Sequence, residues 1–269
     1  MTTDDMVAEI LASKKYKSID TSVVRRICIE MEAKYPKRKD AIKAVKNELH
    51  IMHGSFLQNK CYHKAHVLLS QLTPNCDKTQ LADIGMQIMQ LHMSTVERLG
   101  DIHKIYDVLS QYVSEESTVM DIGCGFNPFA IPLLHELPKK YLAYDISIET
   151  IDLLNAYFRN MNQPQYKAAL FDVAFATPEE NVDVVFMFKL LPLLQQQKQN
   201  RGIAILEELH FNKAIISFPL QSLAGKYKGM EKFYSDLIEN NLAVTLEIVE
   251  KHVFRTEMFY CIKKVKSKA

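Results

Sequence analysis

The densest chemistry in the chain lies in Asp121-Ile122-Gly123-Cys124-Gly125-Phe126-Asn127-Pro128. An apolar run delivers the chain into a turn where Gly123 and Gly125 let a ligand approach the backbone. Pro128 suits the first turn of a helix beyond it. The dinucleotide fingerprint needs a third glycine three residues after the second; Pro128 stands there, so NAD is disfavoured. A bare Gly-x-Gly says little. Here it is joined by Asp145, at the end of the next apolar run, and Asp172, at the end of the one after. The Asp145 carboxylate can accept both hydroxyls of a ribose, and Asp172 falls where an adenine amine would sit. Acidic residues at the carboxyl ends of successive strands mark the ligand edge of an open α/β sheet. Asp121, Gly123, Cys124, Gly125, Asp145, Ile146 and Asp172 form the candidate cofactor set. A nucleotide loop of another kind is the competing reading.

Other residues invite roles more weakly. Arg98 suits a ligand carboxylate, because a guanidinium pairs with one bidentately; an ordinary helix-face ion pair is its plain alternative. Ser94 and Glu97 have capping-box spacing. His50, His53, Cys61, His63 and His66 are spaced as zinc ligands can be, yet histidines on a helix have ordinary reasons to be there. No metal is assigned.

These residues must be positioned by two kinds of element. Residues 1 to about 112 read as helices only: 4–12, 21–35, 38–56, 62–71, 78–91 and a helix opened by Ser94 that runs to about 112. Beyond 112 the texture changes. Short apolar runs at 118–122, 141–144, 166–171, 182–188 and 213–218 alternate with helical patterns, which predicts a parallel sheet covered on both faces. Runs at 244–251 and 257–265 have little between them and read as a closing antiparallel hairpin. The expectation is an α/β, Rossmann-like class I methyltransferase fold with a mainly parallel seven-stranded sheet (113–269), preceded by an all-α domain (1–112).

Composition is compatible with this. A 48% hydrophobic fraction supplies a core for two modest domains in 269 residues. No apolar run has the length of a membrane span, and the N-terminus lacks a secretory pattern. Five cysteines with no Cys-x-x-Cys point to reduced thiols and a cytoplasmic location. Net charge is only +1, but residues 1–78 hold 14 Lys and Arg against 9 Asp and Glu. A basic helical front suggests that it meets a polyanion.

Several segments resemble the aminoglycoside-resistance 16S ribosomal RNA methyltransferases that modify guanine N7. They are Ile10-Leu11-Ala12-Ser13-Lys14-Lys15-Tyr16, Val24-Arg25-Arg26, Leu49-His50 with Gly54, His92 with Ser94-Thr95 and Glu97-Arg98, and the 121–128 loop. Phe188-Lys189-Leu190-Leu191-Pro192-Leu193-Leu194, Ile216-Ser217-Phe218-Pro219, Ser222-Leu223 with Gly225, and Lys228-Gly229-Met230-Glu231 continue the series. Where the family usually has Asn before the following Tyr, this chain has Phe233.

The resemblance implies S-adenosylmethionine as cofactor, held by Arg98, Gly123, Asp145 and Asp172 with Val173, Leu190 and Gln196 or Gln197 nearby. It also implies docking of the N-terminal helices on the assembled 30S subunit. The candidate phosphate contacts are Lys14, Lys15, Arg25, Arg26, Lys37, Arg38, Lys39 and Lys43, of which Lys14, Lys15, Arg25 and Arg26 fall in the resembling segments, with Lys226 and Lys228 near the active face. No base is required, because guanine N7 already carries a lone pair. The narrow RNA major groove requires instead that the target be flipped from its stack. Ser217, Phe218 and Lys189 are expected to position it, Phe218 by stacking. The alternatives are a small-molecule methyltransferase and a catalytically silent RNA-binding protein. Removing 1–110 is the truncation expected to separate the first of these from the RNA enzyme.

Overall fold

The computed structural model describes residues 2–54, 59–73, 76–197, 201–220, 229–242 and 244–265; the side chains of 53, 54, 59, 60, 196 and 197 fall outside that description.

The front of the chain is helical because its caps and apolar spacing say so. Helix α1 (Thr3–Leu11) starts with a capping box between Thr2 and Asp5. Helix α2 (Thr21–Lys34) is capped by Asp20, whose side chain accepts from the Ser22 amide. Helix α3 (Arg38–Leu49) follows Pro36 and runs into a π-turn at His50–Gly54. These three helices close on Met6, Ile10, Val24, Ile27, Val45 and Leu49, which form a small core of their own.

Helices α4 (Asn59–Leu69), α5 (Lys78–Met89), α6 (Met93–Val96) and α7 (Ile102–Ser110) behave differently. Tyr62, Leu81, Ile88, Ile105 and Leu109 share one hydrophobic cluster with Val119, Phe186 and Tyr141 of the sheet. The packing therefore divides near residue 54, not at the 112/113 boundary drawn from texture. Helices that follow residue 59 have nowhere to bury their apolar faces except on the sheet. Gly85 of α5 lies so close to the 3-10 helix at Asn127–Leu133 that an added Cβ would stand 2.0 Å from the Phe129 carbonyl oxygen.

The helix expected to run from Ser94 to 112 is broken into α6, a 3-10 turn at Leu99–Asp101 and α7. The expected Ser94–Glu97 capping box is a misreading. His92 is the N-cap, its Nδ1 accepting the Ser94 amide at 3.2 Å, and Glu97 is drawn away by an ion pair described below.

The sheet is the one the alternating pattern predicts. Its strands β1 (Thr118–Ile122), β2 (Lys140–Asp145), β3 (Tyr166–Leu170), β4 (Asn181–Phe188) and β5 (His210–Pro219) are parallel. β7 (Glu257–Lys264) inserts antiparallel between β5 and β6 (Leu246–Val253), giving the order β3-β2-β1-β4-β5-β7-β6. Side chains alternate across it. Val119, Tyr141 and Phe186 face the cluster built with α4, α5, α7 and α8 (Ile148–Asn160). Met120, Leu142 and Val185 face the second cluster, with α9 (Leu191–Gln197), α10 (Arg201–Glu208) and α11 (Met230–Asn241). Among the described residues no helix is long and apolar enough to cross a membrane.

Candidate active site

A cavity opens at the carboxyl ends of β1, β2 and β4. Gly123, Cys124, Gly125, Asp145, Ile146, Asp172, Val173, Lys189 and Leu190 line it, with His92, Thr95 and Arg98 from the α6 segment and Met52 from the N-terminal unit. Strand order reverses between β1 and β4, so a crevice forms there, and ligands of such sheets bind in it.

The glycine loop has the backbone its sequence calls for. Gly123 and Gly125 have φ of 62° and 49°, a region that side-chain-bearing residues rarely enter. A Cβ on Gly123 would approach Leu190 Cδ1 to 2.9 Å. The Gly125 amide donates to Asp145 Oδ2 at 2.9 Å, and the Ser147 amide donates to Oδ1 at 2.9 Å. Asp145 is thus fixed at the cavity wall. Asp172 is fixed as well: Oδ1 accepts the Ala174 amide at 3.1 Å and Oδ2 accepts Arg26 Nε at 2.8 Å. Burial pushes the Cys124 thiol well above its ordinary value, so it lines the cavity as a neutral group.

The opposite wall is a buried charge network that the sequence reading did not find. Arg98 is 1% exposed, and its guanidinium pairs with Glu257 through Nε at 3.0 Å and Nη2 at 2.7 Å. Nη1 donates to Asn127 Oδ1 at 2.8 Å, and the group lies over the Phe188 ring. Lys189 Nζ bonds the Ser94 carbonyl at 2.9 Å and Glu97 at 2.7 Å, and stands 3.6 Å from Glu257. Ser217 Oγ donates to Glu257. Burial alone would raise the Glu257 carboxyl; Arg98 and Lys189 outweigh it and hold the group below the usual carboxylate range. Lys189 sits at φ 56°, a left-handed conformation costing a non-glycine residue about 1 kcal/mol. Its amide donates to both the carbonyl and Oγ of Ser217 at 3.1 Å, which holds it there.

Sequence-predicted residues divide accordingly. The cavity brings together Arg98, Gly123, Cys124, Gly125, Asp145, Ile146, Asp172, Val173, Lys189 and Leu190. Arg98 lines it, but its fork is already engaged by Glu257, because a guanidinium buried in apolar surroundings must be paired. Asp121 is not at the cavity. It is 1% exposed beneath the loop, accepting from Asn127 Nδ2 and the Tyr141 hydroxyl at 2.8 Å. Its burial raises its carboxyl to about 7, though Asn127, Tyr141 and Arg98 oppose this. Phe218 is also misplaced by the sequence reading. It is fully buried and stacked on Tyr234. Ser217 points to Glu257, and strand alternation sends Phe218 to the other face. Arg26 is turned inward to Asp172 and Glu30, not outward to solvent.

Among the remaining predicted phosphate contacts, Lys14, Lys15, Arg25, Lys37, Lys39 and Lys43 are exposed. Arg25 pairs with Asp4, and Arg38 stands 3.7 Å from Glu9. Lys226 and Lys228 lie outside the described residues, as do the side chains of Gln196 and Gln197. The sequence reading missed His92, Met52 and Glu257. The last had a signal: a carboxylate opening the apolar run Met258-Phe259-Tyr260-Cys261-Ile262, a place where a charge needs a partner. Among the described residues no group of three or more His, Cys, Asp or Glu is placed to hold a metal ion.

The family model for "Ribosomal RNA methyltransferase (FmrO)" matches residues 12–259. The chain belongs to this family. It is 32% identical over 264 residues to the 16S rRNA (guanine(1405)-N(7))-methyltransferase of Serratia marcescens, covering 98% of this chain and 99% of that protein. The crystal structure of 16S rRNA methyltransferase RmtF in complex with S-adenosyl-L-homocysteine superposes with a TM-score of 0.86 at 29% identity, covering 98% of each chain. That of the 16S rRNA methylase RmtB gives 0.84 at 29% identity, covering 98% of this chain and 99% of that one. The methyltransferase cavity also fits S-adenosylmethionine on its own chemistry. Two fixed carboxylates face it at strand ends, a bare glycine backbone permits close approach, and Ile146, Phe171, Val173 and Leu190 give apolar walls for a nucleoside.

Proposed function

We propose that this enzyme transfers the methyl group of S-adenosylmethionine to N7 of guanine 1405 of 16S rRNA, and so confers resistance to aminoglycosides of the kanamycin and gentamicin type. The observation that carries this reading is the cavity with Asp145 and Asp172 fixed at its wall, in a chain of which residues 12–259 match the ribosomal RNA methyltransferase family. When bound, the cofactor supplies a methyl group activated on a sulfonium.

The protein's part is alignment. Asp145 has lone pairs left for the ribose hydroxyls after accepting from Gly125 and Ser147. Asp172 likewise retains lone pairs for an adenine amine after accepting from Ala174 and Arg26. The Arg98–Glu257–Lys189 network closes the wall beside them and fixes where the α6 segment meets the strand ends. Guanine N7 already carries the lone pair that would accept this methyl group, so no side chain of the protein has to remove a proton.

The substrate is the assembled 30S subunit, met by helices α1–α3. Their exposed Lys14, Lys15, Lys37, Lys39 and Lys43, with Arg25 and Arg38, supply phosphate contacts that position without reading sequence. The enzyme acts as a monomer in the cytoplasm. The test is labelled methyl transfer to intact 30S subunits, 50S subunits and naked 16S rRNA. Label on 30S subunits alone supports the reading; equal label on naked RNA would overturn the subunit requirement, and no label on any of them would overturn the activity.

A further inference from the structure

Arg26 belongs to the N-terminal unit by sequence and to the cofactor cavity by geometry. Its Nε donates to Asp172 Oδ2 at 2.8 Å, and Nη1 is held by Glu30 one helical turn on, at 2.9 Å. Both partners of the Asp172 pair are shielded, with side chains 14% and 12% exposed. The unit is joined to the same rim twice more. The Asp20 amide donates to the Ile146 carbonyl at 2.9 Å, and the Ile148 amide donates to the Ser18 carbonyl at 2.7 Å. Ile146 and Met52 both line the cavity and pack on the α1–α3 core. Helices α1–α3 are therefore a wall of the pocket.

We propose that Arg26 is a positioning residue for cofactor recognition, setting the orientation of the Asp172 carboxylate from the N-terminal unit. This rests on the reading that the cavity holds S-adenosylmethionine. A lone aspartate at a loop start can rotate about two bonds. Asp172 is held at both oxygens, one by its own loop and one by α2. Each oxygen keeps a further lone pair, and an ionised carboxylate only accepts. The group it selects is a neutral N–H donor such as the exocyclic amine of adenine, and it rejects a ring that presents a carbonyl oxygen there. Without Arg26 the carboxylate loses its fixed direction. The discrimination then falls, while the shape of the pocket is left to the backbone contacts at Ile146 and Ile148.

The experiment is calorimetry of the full-length protein with S-adenosylhomocysteine and with its inosine analogue, in which a carbonyl replaces the amine. Variants are Arg26→Ala, Arg26→Lys and, as a charge-matched control on the same helix, Lys34→Ala, each checked for a cooperative thermal melt. The unmodified protein should prefer the adenine ligand. Arg26→Ala should weaken that ligand by about tenfold, the scale of one charged hydrogen bond, with little change for the inosine analogue. Arg26→Lys should recover part of the loss, and Lys34→Ala should show none. Unchanged affinity in Arg26→Ala, or equal loss for both ligands, would overturn the positioning role alone. If Arg26→Ala fails to melt cooperatively, Arg26→Lys decides: it must retain some preference for adenine, and equal binding of both ligands overturns the role. No binding of S-adenosylhomocysteine by the unmodified protein would overturn the cofactor reading and this proposal with it.

Discussion

Glu257 is the residue on which the cavity's second wall depends. Arg98, Lys189 and Ser217 all converge on its carboxylate within a buried cluster. Removing one partner of such a pair leaves the others charged and desolvated, so Glu257→Gln should destabilise the fold by about 3 kcal/mol in urea unfolding. Its own carboxyl, lowered in the folded state, contributes stability above the unfolded value near 4.5, and this is lost as pH falls through the folded value. Asp121 works in the opposite direction. Burial raises it from 3.8 to about 7, so the folded protein holds a proton that the unfolded chain releases across that window. Its contribution is full below 3.8 and is lost as pH rises through about 7. Asp121→Asn should therefore flatten the decline in melting temperature over this range and leave the acid limb unchanged. The chemistry of the glycine loop was legible because its signal is local: Gly123, Gly125 and Asp145 lie within 25 positions. Glu257 and Arg98 are 159 positions apart, and no spacing rule joins residues brought together only by folding. Phe218 was misjudged because an apolar strand end does not declare which of its two faces meets the cleft.

At the scale of elements, periodicity placed all seven strands. It also gave five parallel strands and a closing antiparallel hairpin, since alternating strands and helices leave few other arrangements, but not the insertion of β7 between β5 and β6. Helix continuity was less legible. Nothing in the Ser94 pattern announces that His92 caps a four-residue helix, or that Lys189 holds Glu97. The contact between α5 and the turn after β1 is another relation the sequence hides, because a glycine in a helix usually reads as a weak point. At Gly85 it is a close approach to backbone, not to a side chain that can swing away. Gly85→Ala should force the two elements apart and lower stability by about 3 kcal/mol, measured by urea unfolding. Cofactor affinity should fall with it, because the displaced turn carries Asn127, which ties Arg98 to Asp121.

In the whole molecule, the texture-based boundary near 112 obscured how the chain is assembled. Helices α4, α5 and α7 share the sheet's core, while among the described residues α1–α3 form a cluster of their own. A truncation of 1–110 removes Tyr62, Leu81, Ile88, Ile105 and Leu109 from that shared core, so it tests folding and says little about docking. Surface substitutions are the cleaner probe. Replacing the exposed Lys37, Lys39 and Lys43 together by Ala should weaken 30S binding and reduce the slope of log affinity against log salt by about 2 to 3. Cofactor affinity should stay unchanged, since none of the three lines the cavity. The central claim is methylation of one nitrogen on one nucleotide. It is met most directly by incubating the protein with 30S subunits and S-adenosylmethionine and mapping chain cleavage at 7-methylguanine along 16S rRNA. A single new cleavage at guanine 1405 is the result predicted here. Cleavage at another position, or none despite bound cofactor, would contradict it.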